Sequence, residues 1–192
     1  MSTHAKAAAK FLADRERAAW HDRALFHVRE KRDRMAHAVP EWEALRQAAS
    51  EIKLHTLSHL GRYLEEFERN ATANGMVVHW ASDAREMNRI VLDILRRHGG
   101  RTLIKSKSML SEECGLAPFL AGQGIDAVES DLGERIMQLM HRPPSHIVLP
   151  AIHVRREEVG ELFERELGTA RGDSDPTYLT HEARKHLRGK FL

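Results

Sequence analysis

Two lysines and two serines alternate in Lys105-Ser106-Lys107-Ser108, directly after the strand-like Thr102-Leu103-Ile104. Ammonium groups, hydroxyls and exposed backbone amides together suit a phosphate or a carboxylate. The position suits one as well, because in a parallel α/β sheet ligands collect beyond the carboxyl ends of strands, where the next helix presents unpaired N–H groups. Glu112 and Glu113 work against this, since they fall in the first turn of the following helix and would satisfy its positive end themselves. An anion or nucleotide site and an ordinary capped, solvated loop both stand as readings of the stretch.

Two further stretches carry candidate chemistry. In Val128-Glu129-Ser130-Asp131-Leu132-Gly133-Glu134-Arg135, Asp131 and Glu134 have the spacing of a capping box, which leaves Glu129 and Arg135 to face a cleft. In residues 145 to 153, His146 and His153 bracket an apolar run. Their separation of seven places them on opposite faces of a straight strand, so a shared metal is not expected. The candidate contacts for an anion or cofactor are Lys105, Ser106, Lys107, Ser108, Glu129, Arg135 and His153. No residue is assigned a catalytic role.

Other motifs point to little chemistry. His55 and His59 have the i, i+4 spacing of a helical ligand pair but lack the H-E-x-x-H glutamate and a third ligand, so they read as surface or interhelix residues. There is no G-x-S-x-G elbow, P-loop or G-x-G-x-x-G. Arg171-Gly172-Asp173 spells an adhesion tripeptide inside a loop-like segment, where chance explains it. The single cysteine, Cys114, excludes an intramolecular disulfide and a self-contained cysteine-ligated iron–sulfur cluster, which needs about four thiolates.

These stretches need a scaffold, and 192 residues with 42% hydrophobic and 30% charged side chains allow one sizeable α/β core with an appended arm. A net charge of +2 gives no reason to expect nucleic acid, and no apolar run reaches the roughly 18 residues of a membrane span. Met1 to Lys10 lacks the apolar core of a secretory signal, so a cytoplasmic location is the default.

Helix formers run from Ala5 to Ala38 without Gly or Pro, predicting one long helix or two closely joined ones. After Pro40, Trp42, Leu45, Ala49, Ile52, Thr56, Leu60, Tyr63 and Phe67 recur at steps of three and four, the pattern of a buried stripe on a second long helix. Beyond Gly75 the rhythm changes. Short apolar runs at 76–80, 102–105, 126–129 and 146–152 alternate with helical segments at 83–98, 111–123, 132–140 and 155–167, which predicts a mainly parallel sheet with flanking helices. A loop at 168–177 leads to a last amphipathic helix marked by Leu179, Ala183, Leu187 and Phe191. The expected organisation is a helical arm over 1–73, an α/β portion over 74–168, and a linker with terminal helix over 169–192.

Several phrases in this order resemble one family: W-H-D-R-A-L-F-H-V-R-E-K-R-D (20–33), V-H-W-A-S-D-A (78–84), K-S-K-S-M-L-S-E-E-C-G-L (105–116), E-S-D-L-G-E-R-I-M-Q-L (129–139) and P-S-H-I-V-L-P-A-I-H (144–153). They resemble the amino-terminal region of the lactate utilization protein B family, the iron–sulfur subunit of a bacterial L-lactate oxidation system. The resemblance implies a cytoplasmic protein that works with two sister subunits to convert L-lactate to pyruvate. It also implies a fold similar to the sugar-phosphate isomerase and coenzyme A transferase group. Family members carry repeated cysteine sets for 4Fe-4S clusters in a later region. No such set occurs here, so the chain is expected to be an amino-terminal fragment with an incomplete domain, prone to self-association, its clusters lying outside it. A stand-alone α/β protein binding a small anion or nucleotide is the competing reading.

Overall fold

The computed structural model describes residues 3–145 and 147–191 and divides into two compact units, the first ending at Trp80 and the second beginning at Ala81. The first unit is helical: α1 (Thr3–Ala13), α2 (Arg15–His37), α3 (Trp42–Ser58) and α4 (Leu60–Ala73). Asp14 divides the first helical stretch in two, its carboxylate accepting a hydrogen bond from the Arg17 N–H at 3.0 Å and so capping α2. The single helix expected after Pro40 also divides, at His59. That residue leaves helical geometry, its backbone N–H reaching the carbonyls of His55 and Thr56 and its ring Nδ1 lying 2.8 Å from the His55 carbonyl.

The stripe expected to be buried on this helix is exposed. Ile52 is 67% and Phe67 58% exposed, α3 has no buried residue, and α4 buries only Ala71. Helical periodicity reports that one face is apolar; whether another element covers that face is decided by packing the pattern does not encode. The run 76–80 likewise forms no strand. It leaves α4 through Gly75, and the Trp80 indole N–H donates to Glu68 at 2.8 Å. A strand needs a ladder partner, and among the described residues this run has none.

The second unit is the α/β part. Asp83 caps α5 (Ala84–Arg97) by accepting from the Glu86 N–H, while the Glu86 carboxylate returns to the Ser82 N–H and hydroxyl at 2.8 and 2.7 Å. Next come β1 (Thr102–Lys105), α6 (Met109–Glu113), α7 (Leu116–Ala121), β2 (Asp126–Glu129), α8 (Leu132–Leu139), α9 (Arg156–Leu167) and α10 (Pro176–Phe191). The helix expected over 111–123 is broken at Gly115, whose φ of 64° lies in the left-handed region that glycine enters without a Cβ clash.

Strands β1 and β2 pair in parallel, with Thr102 opposite Asp126 and Lys105 opposite Glu129. Four strands were expected; the described residues contain two. Of the run 146–152, His146 lies outside the described residues, and 147–152 form a turn-rich loop in which the Ser145 N–H and hydroxyl both donate to the Pro150 carbonyl at 3.1 Å. The α/β class with a parallel sheet and flanking helices is nevertheless the observed one.

Two apolar clusters hold this unit. Leu92, Leu116, Leu120, Ile125 and Ala127 join α5 and α7 to the sheet, and Ile136, Leu162, Phe163, Leu179 and Ala183 join α8, α9 and α10. The loop 168–175 packs on α9 at Gly160, where a Cβ would stand 2.5 Å from the Asp173 carbonyl oxygen. Gly160→Ala is therefore expected to lower stability by about 1–3 kcal/mol despite alanine's better helix propensity. Gly189→Ala, on α10 with open space around it, should instead raise stability by up to about 1 kcal/mol. Urea denaturation of the two variants beside the parent checks both signs.

Candidate functional site

The parallel register determines what happens at the end of the sheet. Lys105 and Glu129 are opposite residues on adjacent strands, so their side chains leave the sheet on the same face and form an ion pair. The chain then turns. Lys107 has a φ of 48°, and Ser108 starts α6 by accepting from the Ser111 N–H, while the Ser111 hydroxyl donates to the Ser108 carbonyl at 2.7 Å. One turn of α6 brings Glu112 back onto the same ammonium, so Lys105 lies between two carboxyl groups with its side chain only 8% exposed. Ser130 extends the ladder by one step, its N–H and hydroxyl donating to the Lys105 carbonyl at 2.9 and 3.0 Å.

The expected site residues separate. Lys105 and Glu129 meet. Lys107 leads away to Asp131, at 3.3 Å, and to the Val148 carbonyl, while Ser106 is exposed and Ser108 serves as a helix cap. Both lysines of the loop thus face acids of this chain. An external anion would have to compete with Glu112 and Glu129 for the first and with Asp131 for the second. Arg135 lines a different cavity, of about 390 Å³, beside Asp126, and its guanidinium donates to the Gln138 side-chain oxygen and approaches the His186 ring at 3.3 Å. His153 lies half-buried in the turn before α9 and does not line the cavity at Glu129.

Two residues join Lys105 and Glu129 that were not among the candidates. Glu112 had been read as a partner of the helix dipole, and its carboxylate is instead committed to Lys105. Glu134 had been read as half of a capping box. Its N–H does donate to Asp131 at 3.2 Å, but its carboxylate, in a residue 5% exposed, makes no return bond; both oxygens are buried without a hydrogen-bond partner. Glu112, Glu129 and Glu134 line one cavity of about 110 Å³ together with Ala117, Met137 and Arg142. The only hint in the sequence is that acids recur at 112, 129 and 134, after both strands; nothing in their spacing says that they converge.

Burial pushes the Glu129 carboxyl up to about 8, the neighbouring Glu134 and Glu112 adding to the rise and Lys105 opposing it. Burial also favours the neutral form of Glu112, but hydrogen bonds from Lys105 and Glu129 outweigh it and hold Glu112 below its ordinary value. For Lys105 burial favours the neutral amine, and the two carboxyl groups outweigh it, raising its pKa. At neutral pH the arrangement is an ammonium, a carboxylate and a protonated carboxyl in mutual contact. Such a set can give and take a proton near pH 7, the requirement for general acid–base work. Among the described residues no group of three or more His, Cys, Asp or Glu side chains is placed to hold a metal ion.

A profile of the LUD domain matches residues 64–192. This chain belongs to the LUD domain family. The matched span contains Lys105, Glu112, Glu129 and Glu134. Among curated proteins the chain is 42% identical over 165 residues to Lactate utilization protein B of Exiguobacterium sp., covering 86% of this chain and 35% of that protein. It is 39% identical over 166 residues to Lactate utilization protein B of Macrococcus caseolyticus, with the same two shares of 86% and 35%. It is 37% identical over 161 residues to the uncharacterized electron transport protein YkgF of Escherichia coli K12, covering 84% of this chain and 34% of that one. The chain spans about a third of the length of the curated relatives it matches. No solved structure gives a significant match.

Two outcomes follow for this LUD domain's cluster. Lys105→Met leaves buried carboxyl groups without their cation and should cost on the order of 3 kcal/mol, measured by urea denaturation at pH 7. The Glu129 proton is held more tightly in the folded protein than in the unfolded chain. Its stabilising contribution is complete below the ordinary value of 4.5 and is lost as pH rises towards about 8. Between pH 5 and pH 8 the parent should therefore lose stability relative to Glu129→Gln, which has no such titration; parallel denaturation curves at both pH values check it.

Proposed function

We propose that this LUD domain serves lactate utilization, contributing an acid–base centre to a system that oxidises L-lactate to pyruvate and passes the electrons on. The reading is supported by the names of its relatives. The single structural observation behind it is the buried Glu129 in contact with Lys105 and Glu112 at the carboxyl end of the sheet, where burial pushes its carboxyl up to about 8. Oxidation of a 2-hydroxy acid to a 2-oxo acid releases two electrons and two protons, so a group that exchanges protons near neutrality has a place in it.

The electron carriers are assigned outside this chain. The donor set here does not fit an iron–sulfur cluster, because Cys114 is the one thiol and a cluster needs about four. A subunit of this kind acts in a complex, and we assign sister subunits as its partners and the cytoplasm as its location. No helix among the described residues is long and apolar enough to cross a membrane. The exposed apolar side chains of α3 and α4, Leu57 and Phe67 among them, support a role for these helices in docking a sister subunit.

Replacing the chromosomal codon to give Glu129→Gln should abolish growth on L-lactate as sole carbon source and leave growth on pyruvate intact. Undiminished growth on lactate would refute the acid–base role. For docking, the double variant Leu57→Asp and Phe67→Asp should cut co-purification of sister subunits at least tenfold while circular dichroism stays unchanged.

A further inference from the structure

The cavity at Glu129 is short of hydrogen-bond donors. Apart from the contact between the two carboxyl groups themselves, Glu129 Oε2 and both oxygens of Glu134 are buried without a partner, in residues that are each 5% exposed. Of the donors nearby, Lys105 serves Glu112 and Glu129, the Gln138 side-chain amide donates to the Ala127 carbonyl, and the protonated Glu129 carboxyl can serve one Glu134 oxygen, which leaves the other unmet. Two buried carboxyl groups, Glu129 and Glu134, and the partly exposed Glu112 line one cavity with a single lysine beside them, an excess of acceptors that suits a ligand with N–H donors and positive charge. A primary ammonium supplies three such donors on one atom.

The rest of the lining limits what carries the ammonium. Ala117 and Met137 offer apolar surface, and a volume of about 110 Å³ is room for a molecule of a few heavy atoms, since each water occupies roughly 30 Å³ of liquid. Arg142 also lines the cavity, is exposed, and forms no ion pair among the described residues. Its guanidinium is matched to a carboxylate at the outer end of the ligand.

We propose that this cavity binds a small α-amino-acid zwitterion, with its ammonium on Glu129 and Glu134, its carboxylate on Arg142 and a short apolar side chain against Ala117 and Met137. The site shares Glu129 with the acid–base centre but does not depend on the assignment to lactate. L-lactate has the same carbon frame with a neutral hydroxyl in place of the ammonium, so it should bind far more weakly.

The test is isothermal titration of the full chain with L-alanine, L-lactate and ethylammonium. L-alanine should bind, with affinity at least tenfold above L-lactate. Glu134→Gln should weaken L-alanine at least tenfold. Arg142→Ala, a change at an exposed residue, should weaken L-alanine while leaving ethylammonium unchanged. No binding of L-alanine, equal binding of L-lactate, or an affinity unmoved by both substitutions would overturn the proposal. The growth phenotype of Glu129→Gln judges the lactate reading separately, because L-alanine binding can fail while that phenotype holds.

Discussion

The α/β unit depends on one buried ammonium. Lys105 ends β1, Glu129 ends β2, and Glu112 sits one helical turn along α6; all three are held where they are because a charge removed from water must be met by opposite charge. The lysine therefore ties two strands and a helix at a single point. With one cation among several carboxyl groups, burial also pushes the Glu129 carboxyl up to about 8, so it releases its proton less readily than an ordinary carboxyl. Structure and chemistry at this end of the sheet have the same cause.

How much of this was legible in the sequence varied with the range of the interaction concerned. Local signals held: the compact runs 102–105 and 126–129 become β1 and β2, and the helical segments at 83–98, 132–140 and 155–167 appear as α5, α8 and α9. The runs 76–80 and 147–152 are as apolar as the two real strands, yet neither pairs, because pairing is decided by a distant partner that composition does not name. The site was half legible for the same reason. Lys105 and Glu129 stand at strand ends and are visible as such, whereas Glu112 and Glu134 fit helix-terminus roles so well that their carboxylates looked already occupied. Only the fold shows that Glu134 faces inward.

The helical unit has the opposite character. Its caps and breaks, at Asp14 and His59, are local and regular, but the apolar face of α3 and α4 finds nothing to cover it among the described residues of that unit. The pattern that marks a buried helix in a finished core is here an exposed surface. His55 and His59, which have the spacing of a ligand pair, are instead engaged within the unit: the His55 ring lies 2.9 Å from the Tyr63 hydroxyl and His59 caps the end of α3.

A sheet of two four-residue strands has very few backbone hydrogen bonds with which to choose its alignment. Sliding β2 by one residue would bring Val128 or Ser130 opposite Lys105 in place of Glu129, turn Glu129 to the other face of the sheet, and strand the ammonium in an apolar layer. Misaligned pairings are therefore penalised by electrostatics as well as by lost contacts. The charged residues at the strand ends act as a proofreading device during folding, rejecting neighbouring registers that the short apolar runs alone would tolerate.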